Sequence, residues 1–234
     1  MHLSLDFWNT LAVYNPAFSA GRLEALSGQM GTPPEETRSH YVTIKREVDR
    51  VAEAEGRSCS STEVFRRTLS RGRRRVTDEI VRRVHDEVQH LALDHPPRFN
   101  RGTIDTLMEA RRRGVSISVT SNTNFVTGET IREILRRAGV PFAFGLFSDE
   151  HGHAKPSPVF FRAMLDRLPA ATRVVHLGDH PVCDAEGATR AGIEGRMTTY
   201  ETLETTLRDL LSHEHDAQPR PGRLADAARP QYRP

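Results

Sequence analysis

The chain has 234 residues, and its 33 basic and 31 acidic side chains give a formal net charge of +2. A charge so close to neutral gives no electrostatic case for binding nucleic acid or a membrane surface, and no apolar run approaches the roughly 20 residues that span a bilayer. A strand pattern begins at once, which leaves no room for a signal peptide. The cysteines, Cys59 and Cys183, lie far apart in the sequence. We therefore expect free thiols and a cytoplasmic protein.

The first predicted element is a short apolar strand over residues 2–6 that ends on a carboxylate, Asp6. A turn at Asn9-Thr10 follows it. Between the strand and the turn lies Trp8, the only tryptophan in the chain. A carboxylate at the end of a buried strand is a candidate for chemistry, and Trp8 stands where a partner carboxylate would complete a metal and acid–base site.

Residues 15–94 have a helical pattern throughout. Thr32 is predicted to cap one helix, with prolines in its first turn and Glu35 closing a capping box. Ser60 and Thr77 are predicted to cap two more helices. No convincing strand is predicted in this stretch, which therefore indicates a small helical bundle.

After residue 96 the pattern changes to strands that alternate with helices of about ten residues. Such alternation is typical of parallel βαβ units joined by right-handed crossovers. The predicted strands cover residues 115–120, 142–148 and 173–179, and the predicted helices cover about 103–113, 127–139 and 158–168, with a further helix from about residue 185.

These elements predict an α/β fold in which a small α-helical cap domain is inserted into a Rossmann-like parallel sheet core. We assign residues 1–14 and 96–211 to the core and residues 15–95 to the cap. Residues 212–234 are rich in proline, arginine and alanine and have no apolar periodicity. We expect them to form a disordered tail.

Polar side chains follow the ends of the predicted strands. In open parallel sheets, ligands bind beyond the carboxyl ends of the strands. Lys155 is one of only two lysines among the 33 basic residues, which suggests that a compact ammonium group is needed there. The strand-end candidates are Asp6, the pair Ser121-Asn122, Lys155, and Asp179 with Asp184.

Four short motifs carry a family resemblance. "DFWNTL", "VTSN", "KPSPVFF" and "GDHPVCDAEGATRAG" resemble the four motifs of the haloacid dehalogenase superfamily, and the resemblance covers residues 1–13 and about 96–200. A helical insertion between the first two motifs is similar to the C1-type cap of a subgroup that includes small-molecule phosphatases, phosphomutases and 2-haloacid dehalogenases. The fold expected from this resemblance agrees with the one predicted from the alternation of strands and helices.

The resemblance also implies roles for the strand-end residues. Asp6 would attack the substrate and form a covalent intermediate. The Ser121 hydroxyl and the Asn122 backbone amide would hold oxygens of the transferring group. Lys155 would place a positive charge beside the nucleophile.

The same resemblance implies a magnesium site. Asp6, Asp179 and the backbone carbonyl of Trp8 would bind Mg²⁺, with Asp184 nearby or bound through water. Tyr14 and His180, which flank this site in the sequence, are candidate substrate contacts, together with Trp8 and Asn122.

Trp8 departs from the pattern of the family's phosphatases, which have an aspartate at this position as proton donor and base. We expect a Mg²⁺-dependent phosphatase or phosphotransferase that acts on a small phosphorylated substrate, in a monomer or homodimer. Either the leaving group of this substrate needs little protonation, or an acid is supplied by the cap or by the substrate itself. Two alternatives stay open. One is a metal-independent hydrolase of the 2-haloacid dehalogenase type, because a halide leaves without a proton. The other is a catalytically impaired binding or regulatory module.

Overall fold

A computed structural model describes residues 1–217 of the chain, with side chains for residues 1–213. Its central feature is a five-stranded sheet with the strand order β5-β4-β1-β6-β7, in which all neighbours are parallel. This arrangement confirms the predicted α/β, Rossmann-like fold. The strands are β1 (His2–Leu5), β4 (Ser116–Ser121), β5 (Phe144–Phe147), β6 (Val174–Gly178) and β7 (Glu194–Met197).

The register of the sheet brings three strand ends together. β1 lies in the middle, and Leu5 is level with Val119 of β4 and with Leu177 of β6. The residues that follow these positions therefore emerge side by side at the carboxyl edge. A short antiparallel ribbon is formed by β2 (Ala12–Val13), which precedes the inserted helices, and β3 (Arg98–Phe99), which follows them.

Four helices occupy the segment between β2 and β3, where a helical bundle is predicted. They are α1 (Pro16–Met30), α2 (Pro34–Glu55), α3 (Ser61–Leu69) and α4 (Asp78–Asp94). The remaining helices are α5 (Arg101–Arg112), α6 (Gly128–Arg137), α7 (Ser148–His151), α8 (Pro158–Leu165), a π-helical segment (Pro181–Glu186), α9 (Gly187–Arg190) and α10 (Leu203–Ala217).

Two of the three predicted helix caps in this segment are confirmed. Ser60 and Thr77 accept hydrogen bonds from backbone amides at the starts of α3 and α4. The prediction for Thr32 is wrong, because Pro33 occupies the cap position of α2 and no side chain caps this helix. A residue that precedes a proline is biased to extended backbone, which moves the helix start to Pro34. The Thr32 hydroxyl instead lies 2.7 Å from the hydroxyl of Thr37.

The inserted helices share one buried apolar cluster with the sheet. Leu3 and Leu5 of β1 belong to it, and so do Leu26 of α1 and Val84 and Val88 of α4. The division into a core and a cap therefore stays a proposal about function and motion, since the two parts pack on a continuous apolar interior.

The C-terminal part differs from the prediction. α10 continues to Ala217, so residues 212–217 are helical and the predicted tail does not begin at residue 212. The rest of that predicted tail, residues 218–234, lies outside the described residues. β7 was not predicted because its sequence, "EGRM", has no apolar alternation and it lies at the edge of the sheet.

Within residues 1–217, no helix is long and apolar enough to cross a lipid bilayer.

Candidate active site

A cavity of about 210 Å³ opens at the carboxyl edge of the sheet. One side is formed by the residues that follow β1, β4 and β6. The opposite side is formed by one face of α2, whose residues recur every fourth position and so lie on one face of the helix. These α2 residues are Tyr41, Lys45, Asp49 and Glu53.

Asp6 lies at the bottom of this cavity and is 7% exposed. Its Oδ1 atom accepts hydrogen bonds from the Ser121 hydroxyl and from Lys155 Nζ, both at 2.7 Å. In the part of the chain that the structure describes, Oδ2 has no hydrogen-bond partner. Burial raises the pKa of Asp6, and the nearby Lys155 opposes this effect. One oxygen is thus fixed while the other is left available to attack a substrate.

Lys155 is buried and joins two carboxylates. Its Nζ atom lies 2.7 Å from Asp6 and 2.5 Å from Asp184 Oδ1. Burial disfavours the charged ammonium, but the charges of Asp184 and Asp6 outweigh burial and raise the pKa of Lys155. The lysine therefore stays charged, as an electrostatic role beside the nucleophile requires.

The Asn122 side chain holds the backbone of Lys155. Its Oδ1 accepts from the Lys155 amide at 2.8 Å, and its Nδ2 donates to the Lys155 carbonyl at 2.9 Å. This pair of bonds fixes the lysine at the end of its loop. The side chain of Asn122 is therefore occupied, which leaves its backbone amide as the group that can contact a substrate.

Asp184 is held from several sides. Its Oδ1 lies 3.0 Å from His176 Nε2, and its Oδ2 accepts from the backbone amide of His180 at 2.9 Å. Burial opposes ionisation, but Lys155 and then His176 bring the pKa of Asp184 below its usual range. His176 is itself fixed by Ser4, whose hydroxyl lies 2.8 Å from Nδ1. His176 is not predicted from the sequence, because a histidine inside a strand carries no local signal of a role in a site.

The carboxylate oxygens of Asp6, Asp179 and Asp184 come within 4.8 Å of one another. Burial, and then the charge of Asp184, raise the pKa of Asp179. Three carboxylates face one ammonium, so the cluster favours a cation, and a donor set of oxygens alone suits Mg²⁺. These residues therefore fit a magnesium ion.

Gly178 makes this cluster possible. A Cβ atom at position 178 would lie 2.1 Å from the Asp184 Cγ atom, which is far inside van der Waals contact. Only glycine lets the end of β6 approach the Asp184 carboxylate this closely.

Trp8 lines the cavity, and its ring stacks on Tyr14 with 4.0 Å between ring centroids and 8° between planes. Phe7 packs edge-on against the same indole at 4.7 Å. Both predicted contact residues, Trp8 and Tyr14, thus reach the cavity as one stacked pair. An indole N–H is not acidic enough to protonate a leaving group or to act as a base.

His180 also reaches the cavity, but both of its ring nitrogens are engaged. Nδ1 accepts from the Cys183 amide at 3.2 Å, and Nε2 lies 3.2 Å from Glu53 of α2. An accepting Nδ1 places the ring proton on Nε2, which then donates to Glu53. The one ring proton in this arrangement is therefore held by Glu53. Although Glu53, His180 and Cys183 cluster as metal ligands do, a protonated Nε2 cannot bind a metal, so this second cluster does not suit one.

Arg22 of α1, which is not predicted from the sequence, is buried and only 8% exposed. Its guanidinium lies 4.4 Å from the ring centroid of Tyr41, 4.9 Å from that of Phe18 and 5.5 Å from that of Tyr14. In a chain with so many arginines, one more in a helical stretch resembles a surface residue. The four-residue spacing of Tyr41, Lys45 and Asp49 places them on one face of α2. This spacing was the feature of the sequence that could have predicted the α2 side of the cavity.

The chain is similar to known proteins of one family. The sequence model of a family described as "Hydrolase: haloacid dehalogenase-like hydrolase" matches residues 2–192. A human protein, haloacid dehalogenase-like hydrolase domain-containing protein 3, is 34% identical over 119 residues, which cover 49% of this chain and 45% of the human protein. The match therefore spans less than half the length of that relative.

Several solved structures share the fold. The HAD-hydrolase YfnB from Bacillus subtilis has a TM-score of 0.64 at 18% identity, over 88% of this chain and 97% of YfnB. A 2-haloacid dehalogenase from Pseudomonas syringae has a TM-score of 0.60 at 20% identity, over 89% and 98% of the two chains. A protein from Thermotoga maritima described as a beta-phosphoglucomutase has a TM-score of 0.62 at 18% identity, over 89% and 99%. At these identities the likeness shows the fold alone.

Proposed function

Because the chain belongs to the haloacid dehalogenase-like hydrolases, whose family model matches residues 2–192, we propose that it is a Mg²⁺-dependent phosphatase or phosphotransferase. Its substrate is a small phosphorylated molecule, and Asp6 is the nucleophile. The observation that carries this proposal is the cluster of three carboxylates, Asp6, Asp179 and Asp184, around a single ammonium group. A cluster with this excess of negative charge needs a cation before it can accept a phosphate group.

The first chemical step follows from the contacts of Asp6. Ser121 and Lys155 hold Oδ1, so Oδ2 is the oxygen that forms a bond to phosphorus. The bond between phosphorus and the leaving oxygen breaks, and its electron pair stays with that oxygen. The ammonium of Lys155 offsets the repulsion between the carboxylate and the phosphoryl oxygens. The product is an acyl phosphate on Asp6.

Magnesium would be held by Asp6, Asp179 and the backbone carbonyl of Trp8, with Asp184 beside them. When bound, it supplies positive charge against the phosphoryl oxygens. The fold relative YfnB was crystallised bound to magnesium, which supports this cofactor. Thr10, whose hydroxyl donates to Asp179 Oδ1 at 3.4 Å, keeps that carboxylate turned toward the cluster.

The second step restores Asp6 when water hydrolyses the acyl phosphate. No carboxylate stands at position 8 to activate that water or to protonate the first leaving group. General acid–base catalysis contributes about 10²–10⁴-fold to rates. The enzyme is therefore restricted to leaving groups that depart without a proton, and hydrolysis of the acyl phosphate is its slow step.

Two alternative functions can be distinguished from a phosphatase by whether turnover requires magnesium. A hydrolase of the 2-haloacid dehalogenase type would work without magnesium, and a binding or regulatory module would show no turnover. The carboxylate cluster favours the phosphatase over both, since neither a metal-independent hydrolase nor an unused site needs three carboxylates this close together. We retain a cytoplasmic location and a monomer or homodimer as predictions.

The test is hydrolysis of acetyl phosphate, whose leaving group needs little protonation, with and without Mg²⁺. We expect turnover that a chelator abolishes and that Asp6→Asn lowers by about 10³-fold or more. Asp105→Asn is the matched control, because this exposed aspartate of α5 lies outside the cavity. Turnover that survives Asp6→Asn, or that does not depend on the metal, would contradict the proposal.

A further inference from the structure

We propose that the substrate is an aryl phosphate, the phosphate monoester of a phenol. This inference rests on the proposed function and names the substrate class of the same site. Three observations support it independently: the missing proton donor at position 8, the aromatic lining of the cavity, and the pairing of the polar cap residues with one another.

The first observation concerns the leaving group. When Asp6 Oδ2 bonds to phosphorus, the P–O bond to the organic group breaks and that oxygen keeps the electron pair. A phenol has a pKa of about 10, whereas an aliphatic alcohol resembles water, with a pKa of about 16. With Trp8 in place of an acid, a phenolate can leave unprotonated while an alkoxide cannot. Water then cleaves the acyl phosphate to inorganic phosphate, and the phenolate takes up a proton in solution.

The second observation is that aromatic side chains line the cavity on two sides. Trp8 and Tyr14 form a stacked pair beside the nucleophile. Tyr41 of α2 and Phe125, which follows β4, form a second pair with ring centroids 4.4 Å apart. Aromatic rings bind best between surfaces of this kind, in stacked or edge-on contacts. A substrate ring attached to the phosphate would lie among these four side chains.

The third observation is that the polar groups on the cap side already have partners. Lys45 Nζ lies 2.5 Å from Asp49 Oδ2, and Asn124 donates to Asp49 Oδ1 at 2.9 Å. Glu53 is paired with His180 at 3.2 Å. A sugar or polyol phosphate would have to break these bonds to satisfy its own hydroxyls, and each polar group left unpaired would weaken binding. An aromatic ring requires no such exchange.

The hydroxyls of Tyr14 and Tyr41 are different. Both side chains line the cavity. The Tyr14 hydroxyl accepts a hydrogen bond from Arg22, whereas the Tyr41 hydroxyl has no hydrogen-bond partner within residues 1–213. The Tyr41 hydroxyl is therefore the polar group that can contact a substituent on the substrate ring. This places the specificity for the ring on Tyr41 and Phe125.

Binding can be measured without catalysis, because Trp8 is the only tryptophan and its fluorescence reports directly on the cavity. Phenylphosphonate and methylphosphonate cannot be hydrolysed at a P–O ester bond, and they differ only in the ring. With Mg²⁺ present, we expect phenylphosphonate to bind about tenfold more tightly or better, since its ring is buried. Equal affinities would overturn the inference.

Variants locate the ring. Phe125→Leu should weaken phenylphosphonate binding several-fold and leave methylphosphonate unchanged. Tyr41→Leu, at a half-buried position, gives the same test if Phe125→Leu does not fold. Phe144→Leu is the matched control, because Phe144 lies in β5 away from the cavity. A loss of phenyl preference in the control as well would overturn the assignment of the ring to this cavity.

Turnover separates the inference from the proposed function. Phenyl phosphate should be hydrolysed at least 10²-fold faster than glycerol phosphate, with acetyl phosphate as the substrate that has a good leaving group and no ring. Turnover of acetyl phosphate without any phenyl preference, in rate or in binding, would overturn the inference and leave the proposed function standing. Preferential binding of phenylphosphonate without turnover of any substrate would support the ring site and contradict the proposed function.

Discussion

Trp8 occupies the cavity beside the nucleophile and stacks on Tyr14. Its indole fills space that a smaller acidic side chain would leave open to water. The carboxylates and the lysine around Asp6 do not depend on the side chain at position 8. A substitution at position 8 can therefore change proton transfer without changing substrate binding or the attack by Asp6.

Trp8→Asp should create a proton donor and base next to Asp6. We expect hydrolysis of glycerol phosphate, whose alkoxide needs a proton to leave, to rise by about 10²–10⁴-fold. Trp8→Phe keeps an aromatic ring on Tyr14 without adding an acid and should give no gain. Steady-state rates with saturating Mg²⁺ measure the effect. Equal gains in both variants would mean that removing the indole, and not adding a carboxylate, is what matters.

His2 gives the fold a dependence on pH. The side chain is fully buried in β1, with Nε2 2.8 Å from the Ser118 hydroxyl and with Nδ1 lacking a partner within the described residues. Burial lowers the pKa of His2 from 6.5 to about 4. The unfolded chain therefore binds this proton first as the pH falls. The resulting stability is complete above pH 6.5 and is lost progressively between pH 6.5 and pH 4.

For His2 alone, the free energy of unfolding should fall by about 2 kcal/mol between pH 7.5 and pH 5. His2→Gln keeps a polar group near Ser118 and cannot titrate. Its free energy of unfolding should therefore fall by about 2 kcal/mol less than that of the wild type over the same pH interval. Urea unfolding of both proteins at the two pH values measures the difference. Parallel losses in the two proteins would rule out His2 as the source.

At this scale the sequence predicted the residues that follow strand ends, because parallel strands end at one edge of the sheet whatever the loops do. Asp6 and Ser121 come together for this reason, whereas Lys155 follows α7 and is brought to them by the hydrogen bonds of its backbone to Asn122. Arg22 and His176 could not be predicted, since their environments are created by elements distant in sequence. The role of His180 also depended on a contact with Glu53 that only the folded chain provides.

Among the elements, the end of β6 is the most constrained, because Gly178 leaves no space for a side chain beside Asp184. Gly178→Ala should displace that carboxylate from Lys155 and lower Mg²⁺-dependent activity by about 10–100-fold or more. Gly28→Ala is the control, since a Cβ atom at this position in α1 meets nothing within 4 Å.

The control variant should be active and up to about 1 kcal/mol more stable than the wild type, because alanine is a better helix former than glycine. Activity assays and chemical unfolding of both variants test this pair. A fully active Gly178→Ala enzyme would show that the close approach of β6 to Asp184 is not required.

Element starts were predictable where a side chain caps the helix. Ser60 and Thr77 each accept a hydrogen bond from a backbone amide, as predicted, and Thr127 does the same at the start of α6. Elements whose sequence lacks a pattern of their own, such as the edge strand β7, were not predictable because the neighbouring β6 determines their conformation. The predicted start of α2 was wrong for a local reason. Pro34 favours extended backbone at Pro33, so Pro33 and not Thr32 occupies the cap position.

Over the whole molecule, the inserted helices and the sheet share one apolar cluster. Gln89 of α4 adds polar contacts to the neighbouring loop, donating to the Phe125 carbonyl at 2.8 Å and accepting from the Thr127 amide at 3.0 Å. We therefore expect the two parts to unfold in a single cooperative transition. Thermal unfolding followed by both far-ultraviolet circular dichroism and Trp8 fluorescence tests this, and transitions at different temperatures would contradict it.

The family and the α/β fold were predictable because four motifs and the order of the elements point the same way. The substrate was not, because the α2 wall and the aromatic pairs exist only after the helices pack over the strand ends. The specificity of the site therefore belongs to the assembled molecule.

The most direct test of nucleophilic catalysis by Asp6 is to look for a phosphoryl group on this residue. The protein is mixed with acetyl phosphate and Mg²⁺, quenched in acid within the first turnovers, and examined by intact-protein mass spectrometry followed by peptide mapping. Because hydrolysis of the acyl phosphate is expected to be slow, one phosphoryl group should accumulate on the peptide that contains Asp6, and none on Asp6→Asn. Turnover without any phosphorylated enzyme, or phosphorylation that persists in Asp6→Asn, would contradict nucleophilic catalysis by this residue.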